Sequence, residues 1–268
     1  MMDIMQPSSG GQSPPLSNRK PNRVLSGPSL VVKCLLVAAC CLGSACISLR
    51  HRQASTSGGG DQTPDPQPPT VERRFSDADE WAKRFEDPKR DEWQQPEKVL
   101  NLLSIAPGAK IADIGSATGY FPVRLSRAAP AGMVYGLDIE PDMVRYLNRR
   151  ARDEGLTNLR SILAEADDPK IPERVDLIFL CNTYHHIGRR VDYFRARQAD
   201  LRPGGRLAVV DWKPGDLPVG PPPGHKLAPE RVISELTEAG YALVMRDESL
   251  PYQYVLVFQP THRWDPQR

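Results

Sequence analysis

The sequence predicts an α/β protein: a doubly wound sheet of seven strands, mostly parallel, with helices on both faces and the last strand antiparallel. Three observations carry this. From residue 77 onward, short apolar runs alternate with segments of helical spacing, the order that builds a parallel sheet covered on both sides. Residues 175–181 are almost continuously apolar, as a strand buried on both faces is. The final two runs are joined through Asp247 and Pro251, a link short enough for a hairpin.

The elements follow in order. Residues 77–85 and 91–103 have helical spacing, with Trp81, Phe85, Val99, Leu102 and Leu103 as candidate buried positions. Pro107-Gly108 marks a turn before a short strand over 110–114. A helix is expected over 121–129, a second strand over 133–137 ending in Asp138, and a helix over 142–153 that closes near Gly155. Strands three and four occupy 159–163 and 175–181. A helix over 190–201 is closed by Pro203-Gly204-Gly205, and a fifth strand covers 206–210. Residues 213–224 hold five prolines and three glycines and read as a loop. A helix over 229–239 starts at proline and ends at Gly240, the usual asymmetry of helix ends. Strands over 241–245 and 252–258 complete the sheet.

Composition narrows the function classes. The chain has 268 residues, of which 40% are hydrophobic and 25% charged, ordinary for a globular protein. A mean hydropathy of −0.46 excludes a polytopic membrane protein. A net charge of +2 gives no bulk attraction to nucleic acid. Residues 1–70 hold six basic and three acidic residues, leaving 29 basic and 30 acidic in the remaining 198. Cys34, Cys40, Cys41 and Cys46 lie in that tail and only Cys181 in the body. This argues against a disulfide framework or a cysteine zinc site.

Four segments are expected. Residues 1–29 form a disordered basic segment, 30–49 an apolar signal or anchor, 50–76 a Gly/Ser/Pro-rich linker, and 77–268 the folded domain. The run over 34–49 carries no charge and follows Arg19, Lys20, Arg23 and Lys33, the layout of a secretory signal. Leu36-Val37-Ala38-Ala39-Cys40 resembles a bacterial lipoprotein cleavage box, with Ser44-Ala45-Cys46 as a poorer match. Membrane association through this segment, with a lipid on Cys40 or Cys46, is therefore expected; a cytoplasmic protein is the alternative. Gly/Ser-rich then Pro-rich sequence over 53–70 suits a tether.

The chemistry concentrates in Ile111-Ala112-Asp113-Ile114-Gly115-Ser116-Ala117-Thr118-Gly119-Tyr120-Phe121. An acidic residue near a strand end, a glycine-bearing turn and a helix start make a nucleotide-cofactor site in an open α/β sheet. The glycines are spaced GxxxG, a poor fit to the GxGxxG of nicotinamide enzymes. Asp113-x-Gly115-x-Ala117-x-Gly119 is instead similar to the acidic-x-Gly-x-Gly-x-Gly motif of class I S-adenosylmethionine-dependent methyltransferases, departing from it at Ala117. The resemblance covers roughly residues 87–258 and implies a Rossmann-like sheet, methyl transfer and S-adenosylmethionine as cofactor. It places Asp113, Gly115, Ser116, Ala117 and Gly119 in the cofactor loop. Asp138 would bind the ribose hydroxyls and Ile139 would lie against the adenine. Glu165 or Asp167 would approach the adenine amino group, and Asn182 the methionine part. Residues 201–207 look like the family's turn before the fifth strand. Residues 87–96, 182–187 and 250–254 look like a bacterial subgroup of unassigned substrate, often with an export-like N-terminus.

Candidate catalytic residues follow the fourth strand. His185 or His186 could take a proton from an O–H or N–H nucleophile; packing and capping are the alternative roles. Tyr184 could line the acceptor pocket or belong to the core. Asn182 with Tyr184 lacks the prolines of Asn-Pro-Pro-Tyr, so N-methylation is not inferred. Asp211-Trp212-Lys213 reads as a strand terminus within reach of substrate. Trp93, Tyr252 and Tyr254 read as packing residues, and loop 214–224 as a lid or a connection. The adjacent His185 and His186 do not have metal-ligand spacing, so no metal is expected. The expected partner is a small-molecule acceptor, without nucleic acid and with the oligomeric state open. A catalytically inactive cofactor-binding scaffold of the same fold is the alternative. Flanking charges favour a cytoplasmic N-terminal side, which would separate the domain from its methyl donor.

Overall fold

The computed structural model describes residues 77–261. The expectations for residues 1–29, 30–49 and 50–76, including lipidation of Cys40 or Cys46, lie outside the described residues. In chain order the elements are α1 (Ala78–Phe85), α2 (Arg90–Gln94), α3 (Pro96–Leu103), β1 (Lys110–Ile114), α4 (Tyr120–Ala128), β2 (Met133–Asp138), α5 (Pro141–Asp153), β3 (Leu159–Leu163), β4 (Val175–Cys181), α6 (Arg190–Arg197), β5 (Leu201–Trp212), α7 (Pro229–Glu238), β6 (Tyr241–Asp247) and β7 (Gln253–Pro260).

The seven strands form one sheet in the order β3-β2-β1-β4-β5-β7-β6. β1 pairs parallel with both β2 and β4, while β7 runs antiparallel between β5 and β6. The chain thus leaves β1 to one side and then crosses to the other. This reversal splays the connecting loops apart at the carboxyl ends of β1 and β4, where open α/β sheets bind ligands.

Burial explains the two covered faces. Ala112, Ile114, Tyr184, Phe194, Val232 and Leu236 pack on one side, under α6 and α7. Ile111, Phe121, Leu125, Leu147 and Phe179 pack on the other, with Val99 and Leu103 of α3. Alternate residues of one strand point to opposite faces, and β1 divides its apolar residues this way.

Element boundaries and burial differ from the sequence expectation at several places. The helix expected over 91–103 is two helices, broken at Gln95 with φ 45° before Pro96. Proline disfavours helical backbone in the residue before it and is well placed at a helix start. In α1 the buried residues are Ala78 and Ala82; Trp81 and Phe85 are half-buried and stack 5.3 Å apart. Leu102 is also half-buried. The helix expected over 190–201 ends at Arg197 and passes through a short 3-10 turn, and β5 starts at Leu201 rather than at residue 206. Pro203-Gly204-Gly205 is absorbed there as an irregularity in the β4–β5 register between Val175 and Leu177.

Leu147 on α5 locks the cofactor-loop side of the core. It is fully buried, and its δ-carbons occupy the space a Cβ would take at Gly119 (2.4 Å) and at Gly136 (2.7 Å). Leu147→Ala is expected to cost about 2–5 kcal/mol in denaturant unfolding. A cost under about 1 kcal/mol would show that the loop does not depend on this contact.

Candidate active site

The turn after β1 is built by backbone that avoids side chains. Gly115, Ala117 and Gly119 have φ of 79°, 45° and 100°, the left-handed region that glycine tolerates. A Cβ on Gly115 would fall 2.2 Å from Thr183 Oγ1, so the approach of the loop after β4 also demands glycine there. The amides of Gly115 and Ser116 donate to the Leu137 carbonyl at 2.7 and 3.2 Å. The Ala117 amide donates to Asp138 Oδ2 at 2.8 Å, and the Glu140 amide to Oδ1 at 3.0 Å. Thus β2 holds the loop through both its backbone and its terminal carboxylate.

Two buried carboxylates face this arrangement. Burial pushes the Asp138 carboxyl above its usual range, against the pull of its amide donors. Asp113 is pushed well above its usual range by burial and by the nearby Asp138 charge, against the pull of Arg90. Ser116 Oγ is buried without a hydrogen-bond partner.

At the neighbouring strand end, Asp138 and Leu163 are register partners, and the Ala164 amide donates to the Asp138 carbonyl at 2.8 Å. Ile139 and Leu163 are 55% and 50% exposed, an apolar pair beside the carboxylate. Glu165 is exposed and paired with Lys170 at 3.1 Å; Asp167 is also exposed.

The loop after β4 carries a second group. Asn182 adopts φ 58°, and its amide donates to the Val210 carbonyl at 2.9 Å. His185 Nδ1 lies 2.9 and 3.0 Å from the two oxygens of Asp211, at the end of β5. Both side chains are buried, 3% and 1% exposed. The Asp211 carboxylate also accepts from the Trp212 amide at 2.8 Å and the His185 amide at 3.3 Å. His186 is exposed, its ring 4.1 Å from that of His185.

Tyr184 belongs to the core rather than to an acceptor pocket. It is fully buried, stacks on Phe194 at 5.1 Å and donates its hydroxyl to Glu235 at 2.9 Å. Glu235 is held in turn by Arg190 at 2.6 and 2.9 Å. Burial and the Glu235 charge push the Tyr184 hydroxyl far up, which removes it as an acid or base. Tyr254 is likewise buried, its hydroxyl donating to the Leu227 carbonyl at 3.1 Å. Trp93 lies 5.1 Å from Trp212 and 6.5 Å from Tyr252, ring to ring. Loop 214–224 rests on this cluster: a Cβ on Gly220 would fall 2.8 Å from the Trp212 ring.

The N-terminal helices, expected from their spacing, bring to the site side chains that no sequence motif marks. Glu86 accepts from Thr118 Oγ1 at 2.6 Å and pairs with Arg150 at 2.9 Å. The Arg90 guanidinium lies 3.7 Å from the centre of the Tyr120 ring, and Asp91 accepts from the Tyr120 hydroxyl and pairs with Arg124. Gln94 and Gln253 are fully buried and bonded to each other, and Gln253 bonds to Asn182. A buried glutamine has no periodic signature in sequence, so no local pattern marks this pair. Among the described residues, no group of three His, Cys, Asp or Glu could hold a metal ion. No described helix is long and apolar enough to cross a membrane.

A seven-stranded sheet in the order β3-β2-β1-β4-β5-β7-β6 with β7 antiparallel, a glycine turn after β1 and an acidic residue ending β2 is the arrangement of class I S-adenosylmethionine-dependent methyltransferases. A methyltransferase-domain family profile matches residues 105–243, more than half of the chain, and the protein belongs to that family. It is 35% identical over 130 residues to tRNA U34 carboxymethyltransferase of Desulfotalea psychrophila, covering 47% of this chain and 39% of that protein. It is 29% identical over 147 residues to aklanonic acid methyltransferase DauC of a Streptomyces species, covering 53% and 66%. The chain thus spans about half the length of the curated relatives it matches. A SAM-dependent methyltransferase from Aquifex aeolicus superposes with TM-score 0.63 at 28% identity, over 67% of this chain and 96% of that one.

Two predictions follow from the loop. Ala117→Gly relieves a left-handed alanine and should stabilise the protein by about 0.5–1 kcal/mol in chemical unfolding; a loss of stability would contradict the strain. Asp113 has a raised folded value, so its stabilising contribution is present below its ordinary 3.8 and is lost as pH rises toward the raised value. Asp113→Asn should therefore gain stability relative to wild type as pH rises from 4 to 7 in unfolding titrations. An unchanged difference would show that the buried charge is not destabilising.

Proposed function

We propose that the protein transfers a methyl group from S-adenosylmethionine to a small-molecule acceptor. The single observation that carries this reading is the Asp138 carboxylate, buried beside the loop amides at the switch point of the sheet. Each carboxylate oxygen accepts one backbone amide, and lone pairs remain for two ribose hydroxyls. Ile139 and Leu163 offer apolar surface for the adenine. The missing side chains at Gly115 and Gly119 make room for Thr183 and Leu147, which lets the loop close tightly beside the carboxylate. The residues therefore fit the cofactor. Glu165 and Asp167, after β3, are the candidates for the adenine amino group.

When bound, the cofactor supplies an activated methyl group on a sulfonium that leaves as a neutral thioether. The chain's own work is to bind it, to exclude water and to align the acceptor, and alignment alone contributes about 7–11 kcal/mol in well-oriented systems. His185, held by Asp211, is the candidate base, and the exposed His186 is secondary. Two relatives are named for small molecules, aklanonic acid and 27-O-demethylrifamycin SV. The tRNA-modifying relative is less apt, because residues 71–268 carry no basic surplus. Attachment to a membrane through residues 30–49 remains part of the reading, supported by the uncharged run behind a basic flank.

Calorimetric titration of the full chain with S-adenosylmethionine, S-adenosylhomocysteine and NAD tests it. Binding of both sulfur compounds, not of NAD, is expected, with a loss of at least about tenfold in Asp138→Ala, since hydrogen bonds to a charged group are worth about 1.5–3 kcal/mol. A folded chain that binds none of them overturns the assignment. Binding without transfer to any acceptor supports the inactive scaffold.

A further inference from the structure

The one buried side chain of helix α2 is an amide, Gln94. Trp93 beside it is half-buried, its ring 5.1 Å from that of Trp212. Arg90 Nε and Nη2 donate to Gln94 Oε1 at 3.3 and 3.2 Å. Gln94 Nε2 donates to Gln253 Oε1 at the start of β7, and Gln253 Nε2 donates to Asn182 Oδ1 after β4. Both glutamines are fully buried, and both lie outside residues 105–243 matched by the family profile. A guanidinium has donors and no acceptor, so Arg90 fixes which end of each amide faces the next. Docking of α2 therefore places a polar side chain in the interior, where leaving it unpaired is costly.

At its far end the relay holds a strained residue beside the cofactor loop. Asn182 is left-handed, with φ 58°, a conformation that asparagine tolerates better than most residues but that its surroundings must support. Its backbone amide is tied to the Val210 carbonyl and its side chain to Gln253. Thr183, the next residue, occupies the space beside Gly115, so Asn182 stands where the loop after β4 meets the turn after β1. Gln253 accepts from Gln94 and donates to Asn182, so it has one orientation while α2 is docked. With α2 undocked, its buried oxygen loses that donor, the amide is free to turn, and Asn182 loses its fixed partner.

Resting on the methyltransferase reading, in which Asn182 meets the methionine end of the cofactor, we propose that Gln94 and Gln253 couple the docking of α2 to the binding of that end. Both are positioning residues, each acting through Asn182 rather than on the cofactor itself. A docked α2 presents Asn182 in one orientation to the amino-acid end. An occupied amino-acid end in turn favours the docked α2, because a ligand that prefers one state of an element stabilises that state, and such coupling is reciprocal. The adenosine end is held from Asp138 and Ile139 at the end of β2, which β1 separates from β4. Its binding does not depend on the relay.

The test uses the full chain and two ligands, S-adenosylhomocysteine and 5′-methylthioadenosine. The second keeps the adenosine and the thioether sulfur but lacks the amino-acid end. Gln94→Met and Gln253→Met should each weaken S-adenosylhomocysteine binding by at least about fivefold, the lower end of typical coupling. Affinity for methylthioadenosine should stay within about twofold, which a general loss of packing would not allow. The double variant should bind no worse than the weaker single variant, because the two residues act in one relay. In the unaltered chain, S-adenosylhomocysteine should slow hydrogen exchange of the α2 amides at least about fivefold more than methylthioadenosine does, a readout that needs no variant to fold. Loss of affinity for both ligands alike, or for neither, overturns the proposal. So do additive losses in the double variant, or equal protection of α2 by the two ligands. A chain that binds neither ligand overturns the methyltransferase reading and this one together.

Discussion

The hydrogen bond from the Ala117 amide to the Asp138 carboxylate is the contact on which the rest of the site depends. It joins the turn after β1 to the end of β2, and it is possible only because the loop bends through three left-handed residues in five. Every neighbour respects that bend. Thr183 occupies the space beside Gly115, and Leu147 the space beside Gly119 and Gly136. A left-handed alanine costs about 1–2 kcal/mol. A hydrogen bond to a charged group returns a comparable amount. The strained turn therefore persists because the carboxylate holds it.

Charge is concentrated where the sheet opens. Asp113, Asp138 and Asp211 are all buried at the carboxyl ends of β1, β2 and β5, which is unfavourable by desolvation alone. The structure meets this cost differently at each position. Asp138 takes backbone amides, Asp211 takes an imidazole and two amides, and Asp113 has the field of Arg90. Arg90 also acts on Cys181, whose thiol burial pushes up to about 12; at neutral pH it is a thiol with no nucleophilic role. The N-terminal helices, which precede the family-matched stretch, thus complete the electrostatics of the site. Pro96 makes this possible: by breaking the helix after Gln94, it lets α2 and α3 take separate courses.

The fold was legible in the sequence because its signals are local and repeated. Period and length separate strands from helices, and glycine and proline punctuate them. The seven strands and the antiparallel last strand came from such signals. The errors lay where a local pattern continued across a tertiary boundary. Residues 91–103 keep helical spacing through the break at Gln95, and Trp81 and Phe85 are large apolar residues left half-buried. Leu201 extends β5 through Pro203-Gly204-Gly205 because β4 offers a partner there.

The same division runs through the site. Asp113, Gly115, Gly119 and Asp138 could be named from sequence because a short-range chemical requirement, a bare turn beside a strand-end carboxylate, leaves a short-range pattern. His185, too, stood out as a titratable residue after a strand. What the sequence could not decide was its partner, since Asp211 lies 26 residues away, and pairing across a sheet depends on strand order rather than spacing. It could not separate His185 from His186, or place Tyr184 in the core under α7, for the same reason. The Arg90–Gln94–Gln253–Asn182 relay spans residues 90 to 253, and only folding brings a donor-only guanidinium into line with three amides. Local chemistry was therefore written in the sequence, whereas direction and pairing were decided by the tertiary structure, because a hydrogen bond acts only between groups that packing has brought within about 3 Å.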